Sequence, residues 1–279
     1  MEAIVDTNKM SKEVKGGENP LSISELYHEN SKDTVVNSYL SDRPSYEVDI
    51  LTDTLHTLVP YKAYPNTRRI DLPRPHIPSN YAFDEILMKR RSIRDFSDIP
   101  LELETLAQIL FHANGITFTH EGSSLSFRSA PSAGALYPVE IYPVVFNVTG
   151  AAPGVYHYNV KEHCLEELKP GNFSEKLYLL VHTQEMILDS AVTLILTGSF
   201  FRTTIKYGER GYRFVLLDCG HIMQNVYLSA VSLDIGCCTI GGFIDDEVSD
   251  LIGVDGVNEA PLYISVLGKI DFEKMGPGG

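Results

Sequence analysis

Residues 209–233 read ERGYRFVLLDCGHIMQNVYLSAVSL, the longest helical stretch in a chain of 279 residues. Apolar side chains occupy much of its circumference, which places this helix in the interior rather than on a surface. Before it, AVTLILTGSF at 191–200 is a buried strand run; after it come the turn TIGGF at 239–243, the helix DDEVSDLIGV at 245–254 and the strand APLYISVLGK at 260–269. Working upstream, FSEKLYLLVHTQEM at 173–186 suggests a helix, GVYHYNV at 154–160 and CLEEL at 164–168 a hairpin, and VEIYPVVFNV at 139–148 a strand. PLELETLAQILFHANGI at 100–116 carries Leu103, Leu106, Ile109, Leu110 and Ala113 at helical spacing, with Pro100 at its start and Gly115 after it. FDEILMKRRS at 83–92 is a short helix ending in basic residues. Strands and helices alternate, yet neither GxGxxG nor GxxxxGK[ST] occurs, so a doubly wound dinucleotide fold is not indicated and the fold class is α+β.

The rest of the chain bounds the function. Its formal net charge of -14 argues against general binding to nucleic acid or anionic membranes, while leaving room for a local basic pocket. No run of about 18 apolar residues predicts a transmembrane helix, and Met1 to Glu25 has no apolar signal core, so the expected location is cytoplasmic. Cys164, Cys219, Cys237 and Cys238 form no CxxC pair and read as reduced, buried thiols. His157, His163 and Cys164 lie in an alternating hairpin, where the histidines are expected to face solvent; no metal site is expected. The organisation is a flexible N-terminus at 1–20, an arm and docking segment at 21–80, a main domain at 81–272 and a flexible tail at 273–279. Pro65, Pro73, Pro75 and Pro78 exclude a long helix from the docking segment.

Two loops carry chemistry. Arg90, Arg91, Ser92 and Arg94 crowd four hydrogen-bonding side chains into five positions at a helix end, a pattern that either pairs with carboxylates or holds an anionic ligand. In FRSAPSAGALYPVEIY at 127–142, the small residues Ser132, Ala133, Gly134 and Ala135 let the backbone approach a flat ligand, with Pro131 and Pro138 fixing the ends.

RRSIRDF at 90–96, PSAGALYP at 131–138, GHIMQN at 220–225 and IGGF at 240–243, in that order, resemble the flavin-dependent nitroreductase superfamily. With LYHENSK at 26–32, YKAYP at 61–65 and KYGERGYRF at 206–214, the resemblance is to its SagB-type dehydrogenases, the thiazole- and oxazole-forming peptide oxidases, over roughly residues 24–270. That resemblance implies a nitroreductase-like FMN-binding fold, a mostly antiparallel central sheet flanked by helices, and a homodimer with FMN at the subunit interface. It assigns Arg90, Arg91, Ser92 and Arg94 to the FMN phosphate and ribityl chain. Ser132, Ala133 and Gly134 of the partner copy line the flavin ring, Ile240, Gly241 and Gly242 lie at its edge, and Lys269 is a further phosphate-binding residue. Lys206 and Tyr207 are the implied catalytic pair. One of them removes a ring proton while the flavin accepts hydride, and Tyr207 suits the task if the Lys206 ammonium lowers its pKa. The implied function is oxidation of a peptide azoline to the azole with reoxidation by oxygen, with a cyclodehydratase partner and a peptide substrate. The alternatives are an NAD(P)H-dependent nitro or quinone reductase and a non-catalytic flavin-binding assembly subunit.

Overall fold

The computed structural model describes residues 22–32, 61–120 and 126–273. The expected flexible N-terminus at 1–20, residues 33–60 of the arm and the tail from 274 onward lie outside them. The chain divides into two units, residues 1–42 and 43–279. Within the described part of the first, helix α1 (Ile23–Asn30) starts at a capping box: Ser22 Oγ accepts the Glu25 N–H at 3.3 Å and Glu25 Oε2 accepts the Ser22 N–H at 2.8 Å.

The second unit runs β1 (Arg69–Asp71), α2 (Phe83–Lys89), β2 (Leu101–Glu102), α3 (Leu103–Asn114), β3 (Ile116–Thr119), β4 (Ser126–Arg128), β5 (Val139–Val145), β6 (Val148–Thr149), β7 (Gly154–Asn159) and β8 (Cys164–Pro170). It continues with α4 (Ser174–Leu180), α5 (Met186–Asp189), β9 (Val192–Ser199), α6 (Phe201–Tyr207), α7 (Arg210–Ser232), β10 (Ile235–Ile240), α8 (Asp245–Ile252) and β11 (Glu259–Lys269). Seven strands form one sheet in the order β1-β8-β7-β5-β9-β11-β10, every neighbouring pair antiparallel.

Both faces of this sheet are covered. Ile141, Leu194, Leu196 and Leu267 pack with Leu106, Leu110, Ile222 and Val226 of α3 and α7. The alternate residues Tyr142, Val144, Ile195, Ile264 and Val266 pack with Leu177, Ile187, Val248 and Leu251 of α4, α5 and α8. Because neither face is wet, β5 and β9 read as near-continuous apolar runs, a pattern more usual in parallel sheets. Two expectations are corrected here: residues 173–186 break into α4 and α5, and β10 is a strand where only a turn was expected. Lys206 and Tyr207 lie on α6. In the second unit, Arg69–Asp71 extend the sheet beyond β8, and Lys62 pairs with Glu259 at 2.7 Å. Among the described residues, no helix is long and apolar enough to cross a membrane.

Candidate active site

The basic segment is pinned across the ends of β10 and β11. The Ile93 N–H donates to the Cys237 carbonyl at 2.9 Å, and the Ser97 N–H to the Lys269 carbonyl at 2.9 Å. Between them Phe96 is fully buried, its ring over Gly236 and Gly268, which face each other across the two strands. A Cβ on either glycine would come within 2.8 or 2.9 Å of that ring. At the other end, Ser92 Oγ lies 3.1 Å from the Tyr227 hydroxyl, which accepts the Thr239 N–H at 3.0 Å; Thr239 Oγ1 lies 3.0 Å from the Tyr263 hydroxyl. Arg90 stands over the Tyr227 ring at 5.3 Å. This chain of bonds connects Arg90 and Ser92 to the strand that runs into Ile240, Gly241 and Gly242, the two glycines being exposed. Lys269 sits beside Ser97, about 13 Å along the strand from Ser265, the residue that pairs with Thr239. None of Arg90, Arg91 and Arg94 forms an ion pair with a carboxylate among the described residues.

The second group of candidates meets on α6 and α7. Gly134 adopts φ +63°, and a Cβ there would lie 2.7 Å from the Tyr207 hydroxyl and 3.1 Å from Lys206 Nζ. The loop 131–138 thus rests directly on the Lys-Tyr pair of the same chain. Ser132 donates to Asp218 Oδ2 and accepts the Tyr137 N–H at 2.9 Å, fixing the loop to α7. Lys206 Nζ stands 5.5 Å from the Tyr207 ring centre, but the phenol is not pushed toward neutrality. Burial raises its pKa and the Asp218 carboxylate raises it further, so in the single chain Tyr207 holds its proton. Asp218 is also raised by burial, against the opposing Ser132 hydroxyl, His221 and Ala133 N–H.

Tyr207 is therefore held against a glycine-only position. Gly134→Ala is expected to lower stability by about 1–2 kcal/mol, the cost of a left-handed residue with a Cβ. Because the clashing atom is the tip of a flexible side chain, the larger expected effect is displacement of the phenol. Thermal melts and a crystal structure of the variant check both, and a wild-type melt with Tyr207 in place would contradict the contact.

Within one chain the two groups are not brought together. Asp218 and Tyr227 lie nine residues apart on α7, two and a half turns and about 13 Å along the axis, on opposite sides of the helix.

Sequence reasoning missed a third group. His157, expected at the surface, is fully buried, and His163 is buried as well. His157 Nε2 lies 3.1 Å from Glu140 Oε2 and Nδ1 lies 2.9 Å from Glu166 Oε2. Glu140 Oε1 lies 2.6 Å from Arg202 Nη1, and Arg128 is buried close by. The hairpin alternation was legible, but a sheet covered on both faces has no solvent side for His157 to face.

The sequence pattern of the nitroreductase family matches residues 87–269. The protein MJ1384 of Methanocaldococcus jannaschii, which carries a nitroreductase name, is 37% identical over 186 residues, 67% of this chain and 90% of its own length. The microcin B17-processing protein McbC of Escherichia coli is 27% identical over 180 residues, 62% of this chain. This chain spans only 64% of McbC. The solved E. coli microcin synthetase McbBCD complex, with truncated pro-MccB17 bound, contains a similar fold: TM-score 0.57 at 23% identity, covering 91% of this chain and 100% of that one. The match runs from the end of α2 to the end of β11, and so takes in the pinned arginine segment, the loop on the Lys-Tyr pair and the glycines after β10: this chain belongs to the nitroreductase family.

Proposed function

We propose that the chain is an FMN-dependent dehydrogenase that oxidises a thiazoline or oxazoline in a peptide to the aromatic azole, with oxygen as the final electron acceptor. The observation that carries the flavin assignment is the set of guanidinium groups at Arg90, Arg91 and Arg94. They have no carboxylate ion pair among the described residues, in a chain of net charge -14. Such a cluster suits a phosphate, which a fork of N–H donors binds in two places. Arg90, Arg91, Ser92 and Arg94 would hold the phosphate and ribityl chain, and Lys269 would add charge at the far end of the segment. Ile240, Gly241 and Gly242 would offer backbone amides to the ring edge. FMN, when bound, supplies the two-electron acceptor for the oxidation.

The opposite placement of the two groups on α7 favours a site completed by a second copy, with Ser132, Ala133, Gly134, Lys206 and Tyr207 of one chain facing the arginine segment of the other. Phe83 and Met88 of α2 and Leu217 of α7, exposed by 63%, 75% and 57%, offer apolar surface for such a homodimer. Lys206 and Tyr207 would carry the proton-transfer step. Since burial keeps the phenol protonated in the single chain, its use as a base requires that the second copy or the substrate change its surroundings. The likeness to McbC, named for processing microcin B17, supports a peptide substrate and, by the same family resemblance, a cyclodehydratase partner.

The test is the double variant Lys206→Ala/Tyr207→Phe, assayed on a thiazoline peptide by the loss of two hydrogens in the mass spectrum. Turnover is expected to fall by about 100-fold or more, the usual scale for a lost proton-transfer group, while the bound-flavin spectrum stays unchanged. Undiminished turnover would take the chemistry away from the pair, and a wild-type flavoprotein that leaves the thiazoline peptide unchanged would sink the reading. A second reading, an NAD(P)H-dependent nitro or quinone reductase, is favoured by the 37% identity to MJ1384 over 90% of that protein. Rapid anaerobic bleaching of the flavin by NADPH would decide for it.

A further inference from the structure

Arg202 lies one turn before Lys206 on α6, so the two side chains project along the same face of a seven-residue helix. Its side chain is 8% exposed and grips two different elements with one guanidinium nitrogen. Nη1 is 2.6 Å from Glu140 Oε1 on β5 and donates to the Tyr137 carbonyl at 3.1 Å. Tyr137 closes the loop whose Gly134 rests on Tyr207 and Lys206, and this loop is strained: Ala135 has φ +53° and Tyr137 φ +46°. Residues in that region persist only where the surroundings over-determine them.

Glu140 is fixed in turn. Its second oxygen meets His157, which meets Glu166; Glu166 also accepts the Asn159 side-chain amide at 2.9 Å and the Tyr64 backbone N–H at 3.0 Å. The Tyr64 hydroxyl lies 3.2 Å from that of Tyr142, which donates to Glu259 at 2.7 Å, and Glu259 pairs with Lys62. A continuous chain of polar contacts therefore runs from the docking segment, through the sheet, to the helix that carries Lys206 and Tyr207.

We propose that Arg202 is a positioning residue for the Lys206–Tyr207 pair. By holding Glu140 and the Tyr137 carbonyl together, it sets the spacing between α6 and the loop at 131–138, and the Glu140–His157–Glu166 chain extends that hold to the docking segment at Tyr64. Its catalytic meaning rests on the reading that Lys206 and Tyr207 do the chemistry; its geometric content does not.

The experiment places 3-fluorotyrosine at position 207 of the full chain and reads its 19F resonance and phenol titration with Arg202 intact, in Arg202→Lys, and in Arg202→Gln/Glu140→Gln. Lysine keeps a charge for Glu140 but replaces a planar fork with a single ammonium that does not span both partners. The double variant removes both charges at once, so no carboxylate is stranded in the sheet. The expected result in both is a shifted or broadened resonance and a phenol that titrates nearer the free value, in protein whose circular dichroism is unchanged. Turnover on a thiazoline peptide is expected to fall about 10- to 100-fold with KM little altered, the scale of a misplacement near 1 Å. An unchanged resonance and titration in folded Arg202→Lys would overturn the proposal. If the resonance moves while Lys206→Ala/Tyr207→Phe keeps full turnover, the positioning stands and the assignment of chemistry to the pair fails.

Discussion

Phe96→Ala is expected to lower the stability of the chain by about 3–5 kcal/mol and, where the arginine segment holds FMN as proposed, to weaken that binding at the same time. The ring is fully buried and fills a space that two glycines, Gly236 and Gly268, keep open at the edge of the sheet. Nothing can collapse into that space from the glycine side, because glycine has no side chain to reorient, so truncation leaves a cavity. The backbone around Phe96 is what pins the basic segment: Phe96 bridges to Ile270, the Asp271 N–H donates to the Asp95 carbonyl at 3.1 Å, and Ile93 and Ser97 bond to β10 and β11. Loosening it releases Ser92 from Tyr227 and scatters the three guanidinium groups that one phosphate would have to find together. Urea melts give the stability, and fluorescence quenching of FMN gives an affinity expected to fall at least about tenfold in protein that is still folded. Gly268→Ala approaches the same contact from the other side, placing a Cβ 2.9 Å from the ring, and overpacking of that kind costs about 1–3 kcal/mol. Wild-type melting and wild-type FMN affinity in Phe96→Ala would show that the segment is held by its backbone bonds alone.

How much of this was legible in the sequence depends on how far apart the partners lie along the chain. Helix α7 and strands β5, β9 and β11 announce themselves because their apolar residues are dense and periodic over seven or more positions. Strand β10, IGCCTI, is six residues with two cysteines and a glycine, too short and weakly patterned to separate from the turn after it. The arginine segment and the loop at 131–138 were visible because each is contiguous. That Gly134 sits on Tyr207, seventy-odd residues away, is visible only in the fold, and so is the connection of Ser92 to Tyr227 and Thr239, two ordinary residues far along the chain. The buried charges were missed for a more specific reason. Glu166 and His157 occupy hairpin positions whose alternation reads as a wet face, Glu140 is a single charge in the otherwise apolar run of β5, and the elements that dry that face come from elsewhere in the chain.

Those buried charges carry the second large effect. Glu140→Gln is expected to cost about 3–5 kcal/mol near pH 6, the usual cost of removing one partner from a buried ion pair. Burial alone would push the Glu140 carboxyl up, but Arg202, His157 and Arg128 outweigh it and hold the group at about 2. Burial alone would push His157 down, but its hydrogen bonds to Glu140 and Glu166 and their charges hold it above the ordinary value. The signs of these two shifts fix the shape of the pH dependence. A depressed carboxyl contributes its stability above the unfolded value of 4.5 and loses it as pH falls toward about 2. A raised imidazole contributes fully below its unfolded value of 6.5 and loses that contribution as pH climbs through its folded value. The stability gap between wild type and Glu140→Gln should therefore be widest between about pH 5 and pH 6.5, narrowing on the acid side as Glu140 protonates and on the alkaline side as His157 gives up its proton. Urea denaturation of both proteins across that range measures the gap directly. A gap that narrows only on the acid side would mean that His157 is neutral in the folded chain and that Arg202 and Arg128 alone hold Glu140. A gap equal at every pH would mean that the carboxylate is not charged where it is buried, and the ion-paired chain through the sheet would have to be redrawn as one of neutral hydrogen bonds.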